Sequence, residues 1–376
     1  MLATITGLFA EPWVMTLLKV AGVFAVVMPM VAYAVVAERR ISAWIQDRIG
    51  PNRVGIPFTN IKLLGLGQPL ADGLKALVKE DFTPAHVRKV YYWMAPAVAM
   101  VPSFVVLAVL PFGSMLGEQK MVIADLDIGI LFTFGIVSLG VYGIVLAGYA
   151  SNSKYPFLGG IRSTAQMISY EIAMGLAVVP VFMIAADPAW QKGLSESWSL
   201  YLDGAGLLNL SSVIAYQSDS LFGWLMFKQP VAFVIFLIAI FAETNRLPFD
   251  MPESETELVA GYNTEYSSMR FALFFMGEYA AMIAGSALMV VLFCGGWMLP
   301  LGDYFSTPAE SFGQGLVHIG VFVAKIAVFL GLMIWIRWML PRFRYDQLMN
   351  IGWKRFLPVS LANIIVTAIV LWVLNS

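Results

Sequence analysis

Carboxylates that could bind and release protons are concentrated in one part of this sequence. The stretch FAETNRLPFDMPESETELVAGYNTEYS, residues 241–267, follows a wholly apolar run and contains one cation, Arg246. Clustered, partly desolvated carboxylates favour the protonated form and titrate as a coupled set, so some of them can exchange protons near neutral pH. One interpretation is a proton-handling cluster, and the alternative is a solvated acidic loop. The acids are Glu243, Asp250, Glu253, Glu255, Glu257 and Glu265.

Two further acids lie in apolar surroundings, Glu171 and Glu278 within FFMGEYAAMIAG. A carboxylate at the centre of a bilayer costs about 2.5–3.5 kcal/mol on insertion scales, so such residues are candidates for function. Two lysines within apolar runs, Lys19 and Lys325, either partner these acids internally or extend toward the membrane surface.

The elements that position these residues are predicted to be membrane helices. Hydrophobic residues make up 59% of the 376 residues and charged residues only 12%, a balance that excludes a water-soluble globule. A span needs about 20 apolar residues. The fifth candidate has a clean apolar core only over 231–242, so seven spans is the alternative to eight. The eight lie near 13–36, 93–113, 129–150, 166–186, 224–242, 271–293, 317–340 and 356–374.

Orientation is predicted from lysine and arginine, which cytoplasmic loops retain. Eighteen of the 23 fall in one set of alternating connections, when the last of these is counted from Arg337, and three fall in the other. Both termini are therefore expected on the outer side of the membrane. The inner connections are the loops 38–92, 151–165, 243–270 and 341–355. The outer connection 187–223 is long.

Small residue counts exclude several kinds of cofactor. One cysteine cannot form an internal disulfide, an iron–sulfur cluster or a multi-thiolate zinc site, and two histidines cannot hold two haems. No phosphate-binding loop or dinucleotide fingerprint is present in the sequence. Any redox role must therefore be shared with partner subunits.

The inner loops contain more charged residues, of both signs, than the orientation of the spans requires. The segment ERRISAWIQDRIGPNRVGIP, residues 38–57, mixes arginines with acids in a predicted tight turn, and Pro69 opens an amphipathic helix expected to lie on the membrane surface. Residues 341–349, PRFRYDQLM, alternate arginine and aromatic side chains. Positive-inside topology alone is one interpretation. Arginine mixed with acids favours a polar surface that partners cover, and the net charge of −1 argues against nucleic acid.

Two loops have predicted local structure. Residues 151–165 are rich in turn-forming residues, so Glu171 is expected about one and a half turns into the following span. In the acidic stretch, proline breaks the helix, and Ser254 with Glu257 has capping-box spacing for a short helix reaching toward Glu265.

Five segments together resemble the H subunits of NADH-quinone oxidoreductase, the respiratory complex I family. The resemblance covers the chain from the first span to the last inner loop, and its acidic segment is the most specific part. The segments are ERRISAWIQDRIGPNRVG (38–55), AQMISYEIAMGL (165–176), ETNRLPFDMPESETELVAGYNTEYS (243–267), FFMGEYA (274–280) and PRFRYDQLM (341–349).

The resemblance implies an all-α polytopic protein with about eight spans and short amphipathic cytoplasmic helices. It implies a single membrane domain at the junction with peripheral subunits, which would carry NADH, FMN and iron–sulfur clusters, while quinone is the substrate and this chain alone is not catalytic. Residues expected at the quinone chamber are Glu38, Arg39, Arg48, Arg246, Phe249, Asp250, Glu253, Glu255, Glu257, Arg342 and Arg344. Residues expected on a proton path toward neighbouring membrane subunits are Glu171, Glu243, Glu265, Glu278 and Tyr279.

Other functions remain open from the sequence. A self-sufficient cation/proton antiporter would have paired repeats and a midplane site, whereas the two halves show no clear repeat and the acids cluster at the inner surface. A purely structural anchor has no need of Glu171 or Glu278. Ferredoxin- or hydrogenase-linked relatives would contain an equivalent subunit.

Overall fold

The described chain is almost entirely helical, which confirms the all-α polytopic prediction. The computed structural model describes residues 12–55, 65–117, 119–187, 196–202, 205–206, 208–218, 221–252 and 255–375. Within them, one antiparallel hairpin pairs β1 (Met115–Leu116) with β2 (Gln119–Lys120). The helices are α1 (Pro12–Ile45), α2 (Gln68–Val78), α3 (Lys89–Val106), α4 (Gly129–Ala150), α5 (Lys154–Ala185), α6 (Glu196–Tyr201), α7 (Leu210–Tyr216), α8 (Leu225–Lys228), α9 (Pro230–Glu243), α10 (Glu255–Leu258), α11 (Ser268–Phe293), α12 (Asp303–Ser306), α13 (Phe312–Met339), α14 (Tyr345–Ile351) and α15 (Leu357–Asn375).

Seven of the described helical segments are long and apolar enough to cross a membrane, namely α1, α3, α4, α5, α11, α13 and the continuous stretch Tyr345–Asn375. The remaining predicted span corresponds to α9, whose 14 residues rise only about 21 Å against about 30 Å of hydrocarbon. Pro230 disfavours helical backbone at Gln229, so α8 does not extend α9.

The ends of α9 are covered by other helices. At its start, Gln229 donates to Thr367 Oγ1 at 3.1 Å and accepts from Asn363 Nδ2 at 3.1 Å. At its end, the backbone carbonyl of Ala242 accepts from the Gln166 amide at 2.7 Å. A polar helix end at membrane depth is tolerated because protein groups satisfy it.

The first inner loop begins later than the hydropathy predicts. Helix α1 continues through Glu38 and Arg39 to Ile45, so these residues lie on a helix and not in a tight turn. The helix ends at Ile45, and the chain turns at Asp47, which has a positive φ of 51°, before it reaches Gly50–Pro51. Hydropathy therefore does not locate the end of this helix.

The prediction of a turn-rich loop over 151–165 is wrong. Helix α5 begins at Lys154, and Glu171 lies near the middle of its 32 residues, not one and a half turns from its start. A Cβ at Gly159 would lie 2.9 Å from the Gly261 Cα. This glycine therefore permits close packing of α5 against the acidic segment and does not mark a turn.

Other inner segments are also more helical than expected. Helix α14 continues through a π-helical turn, Gly352–Phe356, into α15, so much of the predicted loop 341–355 is helix. Ser254 lies outside the described residues. Helix α10 ends at Leu258, and a 3₁₀ turn at Gly261–Asn263 follows, so the predicted capped helix does not reach Glu265.

Close approach of three helices fixes the region around Glu278. A Cβ at Gly143 would lie 2.4 Å from the backbone nitrogen of Ala99, and one at Gly277 would lie 3.0 Å from the Met100 Cα. Helices α3, α4 and α11 therefore pack with backbone against backbone. This packing leaves little freedom for the charged side chains beside it.

Candidate functional site

A buried carboxylate, Glu38, is the centre of the candidate site. It is 7% exposed and lies on α1. Arg246 Nη1 donates to both carboxylate oxygens at 3.1 Å, and the Tyr279 hydroxyl donates to Oε2 at 2.6 Å. Arg337 Nη1 also donates to Oε1. Four hydrogen bonds to one carboxylate satisfy a charge that burial would otherwise disfavour.

Arg246 connects this carboxylate to a second one. Its Nε lies 2.6 Å from Glu278 Oε1, and its guanidinium lies over the Tyr279 ring, 4.4 Å from the centroid. The planar guanidinium of arginine can contact two acids on different edges, which a lysine ammonium cannot do in the same way. We call Glu38, Arg246, Glu278, Tyr279 and Arg337 the Glu38 cluster.

The loop that presents Arg246 is held at both ends by one side chain. The fully buried Gln166 amide donates to the carbonyls of Ala242 and Phe249, each at 2.7 Å. Ser163 donates to the Asn245 side-chain oxygen at 3.2 Å, and Asn245 has a positive φ of 50°. Asparagine tolerates that backbone conformation better than most residues. Helix α5 thus fixes the turn between Glu243 and Phe249.

An open cavity of about 750 Å³ borders the Glu38 cluster on one side. Glu38 and Arg337 form one wall, and the segment after α1, including Arg48 and Gly50, forms another. Arg39 also lines it, while Arg39 Nη1 bonds Asp72 of α2 at 2.8 Å. Two of the five arginines that the sequence analysis assigned to a substrate chamber, Arg39 and Arg48, therefore line this cavity.

The other predicted chamber residues lie on the adjacent loop. Asp250 is 9% exposed and accepts from Arg342 Nη2 at 2.9 Å. The Phe249 ring packs against Tyr170 and Phe343, with centroids 5.4 and 5.6 Å apart. Arg344 is exposed at the start of α14, and its backbone N–H bonds the Gln347 side chain, so it lies outside these buried contacts.

A small internal cavity of about 100 Å³ lies on the other side of Glu278. Glu243, Thr244 and Asn245 line it together with Glu278. A water needs about 10–15 Å³ of such volume and two or more polar partners, so several waters fit. Glu243 Oε2 is buried with no hydrogen-bond partner among the described residues. Glu171 is near enough to Glu243 for the two charges to interact.

The remaining acids of the 241–267 segment do not join the Glu38 cluster. Glu253 and the Glu255 side chain lie outside the described residues. Glu257 is exposed and pairs with Arg162 at 2.6 Å. Glu265 lies 3.7 Å from His86 and does not line the internal cavity. Beside it, burial raises the pKa of Tyr266, so this phenol stays neutral at physiological pH.

Sequence reasoning missed two members of the site. Arg337 ends the apolar helix α13 and counts in the sequence only as a topological charge, although it donates to Glu38. Gln166 carries no charge, and nothing in its sequence neighbourhood indicates that it bonds two distant carbonyls. One signal in the sequence could have identified Arg337 as a site residue: it lies in the last turn of an apolar helix, a few residues before Arg342 and Arg344.

Comparison with known proteins gives consistent matches along the chain. The sequence model described as NADH dehydrogenase matches residues 18–368. A Geobacter metallireducens protein, named as an H subunit of NADH-quinone oxidoreductase, is 47% identical over 362 residues, which cover 95% of this chain and 96% of that protein.

Proteins from two other bacteria are also similar, at somewhat lower identity. A Streptomyces avermitilis protein, also named as an H subunit of NADH-quinone oxidoreductase, is 42% identical over 371 residues, which cover 96% of this chain and 74% of that protein. A Rhodothermus marinus protein named NADH-quinone oxidoreductase subunit 8 is 43% identical over 341 residues, covering 89% and 91% of the two chains.

Proposed function

The chain belongs to the NADH dehydrogenase family, among the H subunits of NADH-quinone oxidoreductase, and from this premise we propose that it forms the membrane side of the quinone chamber and couples quinone reduction to proton translocation. It is a multi-pass membrane component of an oxidoreductase complex, respiratory complex I, and other subunits of that complex are its partners. The observation that carries the proposal is the position of the Glu38 cluster between the open cavity of about 750 Å³ and the smaller cavity of about 100 Å³.

The open cavity would receive the quinone headgroup. Arginine side chains there, with Arg39, Arg48 and Arg337 in its walls, would bind carbonyl oxygens and stabilise negative charge as it forms. Reduction to quinol takes two electrons and two protons. The electrons would come from iron–sulfur clusters on partner subunits that receive them from NADH through FMN.

An apolar cleft supports a route for the quinone tail. It has a volume of about 600 Å³ and lies between α1, α2 and α11, with Val35, Phe275 and Met276 in its walls. Arg39, Asp72 and Tyr279 also line it, so it adjoins the Glu38 cluster. Helix α2 exposes Leu70, Leu74 and Leu77, as a helix at a membrane surface would. The apolar cleft would hold the isoprenoid tail of the quinone, and the adjoining open cavity would hold its headgroup among the arginines.

Proton movement would follow the acids around the smaller cavity, Glu278 and Glu243, and then Glu171. Loss of a proton, or gain of negative charge, beside Glu38 changes the field at Arg246 and Glu278, and solvent screens this field weakly because Glu38 and Arg246 are buried. Protons would then pass from Glu278 through the internal cavity to Glu243 and Glu171. Both chain termini would face the outer side of the bacterial inner membrane, as the distribution of basic residues predicts.

Photoaffinity labelling of the native complex tests the chamber. A quinone carrying an azido group on its ring is expected to label residues 38–54 and the region of Arg337 and Trp338, and excess unmodified quinone should suppress the labelling. Labelling confined to other subunits would contradict the proposal. Proton exchange by the isolated chain in liposomes would instead support the antiporter alternative.

A further inference from the structure

A second cleft, distant from the Glu38 cluster, faces the opposite half of the membrane. It has a volume of about 460 Å³, within the range of small-molecule sites, and lies between α1, α11 and α13 next to the hairpin. Its lining is apolar, with Val23, Ile283 and Phe322 among its walls. One lysine, Lys19, also lines it.

The position of Lys19 along α1 gives its depth in the membrane. Glu38 lies about 19 residues further along the same helix, which corresponds to about 28 Å of rise. That distance matches the thickness of the hydrocarbon, about 30 Å. If Glu38 lies at the inner boundary, the Lys19 ammonium lies at the outer one, where lipid phosphates begin.

Lys19 is half-buried, and among the described residues its ammonium makes no ion pair and no hydrogen bond. The acid whose field reaches it, Asp125, already accepts from Lys120 at 3.1 Å and from Asn209 at 2.6 Å. An ammonium beside apolar walls at the edge of the hydrocarbon is stabilised by an anionic partner.

We propose that this cleft, which we call the outer cleft, binds one phospholipid of the outer leaflet, with an acyl chain between α1 and α13 and the phosphate on Lys19. The exposed leucines of α1 near it, Leu17 and Leu18, place this face of the helix in lipid. A hydrocarbon chain matches the apolar walls, and a phosphate is the anion that a bilayer offers at this depth. The inference does not rest on the proposed quinone function.

Gly22 makes the cleft testable without disturbing the helix. It lines the cleft, and a Cβ built there meets no atom within 4 Å. Gly22→Leu would therefore fill the space in which we place the acyl chain. It would not weaken α1, because leucine has a higher helix propensity than glycine. Gly320 of α13 also has no atom within 4 Å of its Cβ position but does not line the cleft, so Gly320→Leu is the matched control.

The experiment uses the whole complex, purified in mild detergent and transferred to nanodiscs of phosphatidylethanolamine and phosphatidylglycerol. Native mass spectrometry of the released chain is expected to show one retained phospholipid, and a cryo-EM map is expected to show chain-like density beside Gly22. Lys19→Gln should lower retention about fivefold, Lys19→Arg should restore it, and Gly22→Leu should abolish it. Gly320→Leu and Lys228→Gln, a change of another outer-side lysine that bonds Tyr216, should retain it.

Two results would overturn the proposal. One is retention in Lys19→Gln and Gly22→Leu equal to that in the controls. The other is density in the cleft that belongs to polypeptide, either the first eleven residues of this chain or a neighbouring subunit.

Discussion

Arg246 and Glu278 are joined by a 2.6 Å contact between guanidinium Nε and carboxylate Oε1, while Nη1 of the same arginine binds Glu38. One side chain from an irregular loop therefore links acids on two membrane helices, α1 and α11. The loop positions the arginine, and the helices position the acids. A change in protonation at either acid alters the partner that Arg246 favours.

Replacement of the bridging guanidinium is the first prediction. Arg246→Lys keeps the charge but cannot contact both acids, so we expect quinone reduction to fall by about tenfold, equivalent to about 1.4 kcal/mol in the barrier. Steady-state NADH-driven quinone reduction in membranes measures the change. Blue-native gels establish that the complex is assembled. Wild-type rates in Arg246→Lys would show that the bridge has no part in turnover.

The second prediction concerns coupling. Glu278→Gln preserves shape but cannot ionise, so we expect an assembled complex in which proton pumping is lost or reduced several-fold more than quinone reduction. Both rates are measured in the same membrane vesicles, with a pH-sensitive dye for pumping. Glu310→Gln, on an exposed acid beside α13, is the matched control. Full activity on both measures would remove Glu278 from the mechanism.

The third prediction concerns Gln166, whose two hydrogen bonds hold the loop after α9 and which we call the loop clamp. Gln166→Leu would leave the buried carbonyls of Ala242 and Phe249 without their donor, at a cost of about 1–3 kcal/mol for each unsatisfied group. We expect faster thermal inactivation of quinone reduction than in wild type, and weaker coupling because Arg246 is displaced. Gln119→Leu changes an exposed glutamine on the hairpin and should leave the half-life unchanged. Equal half-lives for the two variants would argue against the clamp.

The fourth prediction tests helix packing beside the internal cavity. A methyl group at Gly143 would overlap the Ala99 backbone, so Gly143→Ala is expected to separate α3 from α4 and to destabilise the protein by about 1–3 kcal/mol. Gly135→Ala on the same helix adds its methyl group to open space and is the control. The yield of assembled complex and its thermal stability report the difference. Identical behaviour of the two alanines would contradict the packing described for α4.

The elements that the sequence predicts well are those set by a long run of apolar residues. Apolar runs predict the long helices, and the acidic segment is a candidate site in which the structure buries Arg246 and Asp250 but exposes Glu257. The sequence could not show that Glu38 is helical, because hydropathy ends at the membrane surface while backbone hydrogen bonding continues to Ile45. Nor could it show Gly159 inside α5, because the close approach to Gly261 that explains this glycine is a tertiary contact.

Within the site, the sequence shows which residues are charged but does not show which of them form ion pairs. Glu38 and Arg246 were both candidates, but their pairing joins residues 208 positions apart and depends on a loop conformation held by Gln166. The acids of the 241–267 segment looked equivalent in sequence. The structure separates buried Asp250 from exposed Glu257, because only the first faces the packed helices.

Helix α9 alone covers only about 21 Å of the hydrocarbon thickness, and protein groups bind the polar groups at both of its ends. The loop that follows it places Arg246 in the protein interior, where this side chain is 4% exposed. Mobile ions weaken contacts between exposed charges over a screening length of about 8 Å at physiological ionic strength, but they act far less on buried pairs. Added salt should therefore loosen partner docking at exposed arginines such as Arg344 while leaving the Glu38–Arg246 contact intact.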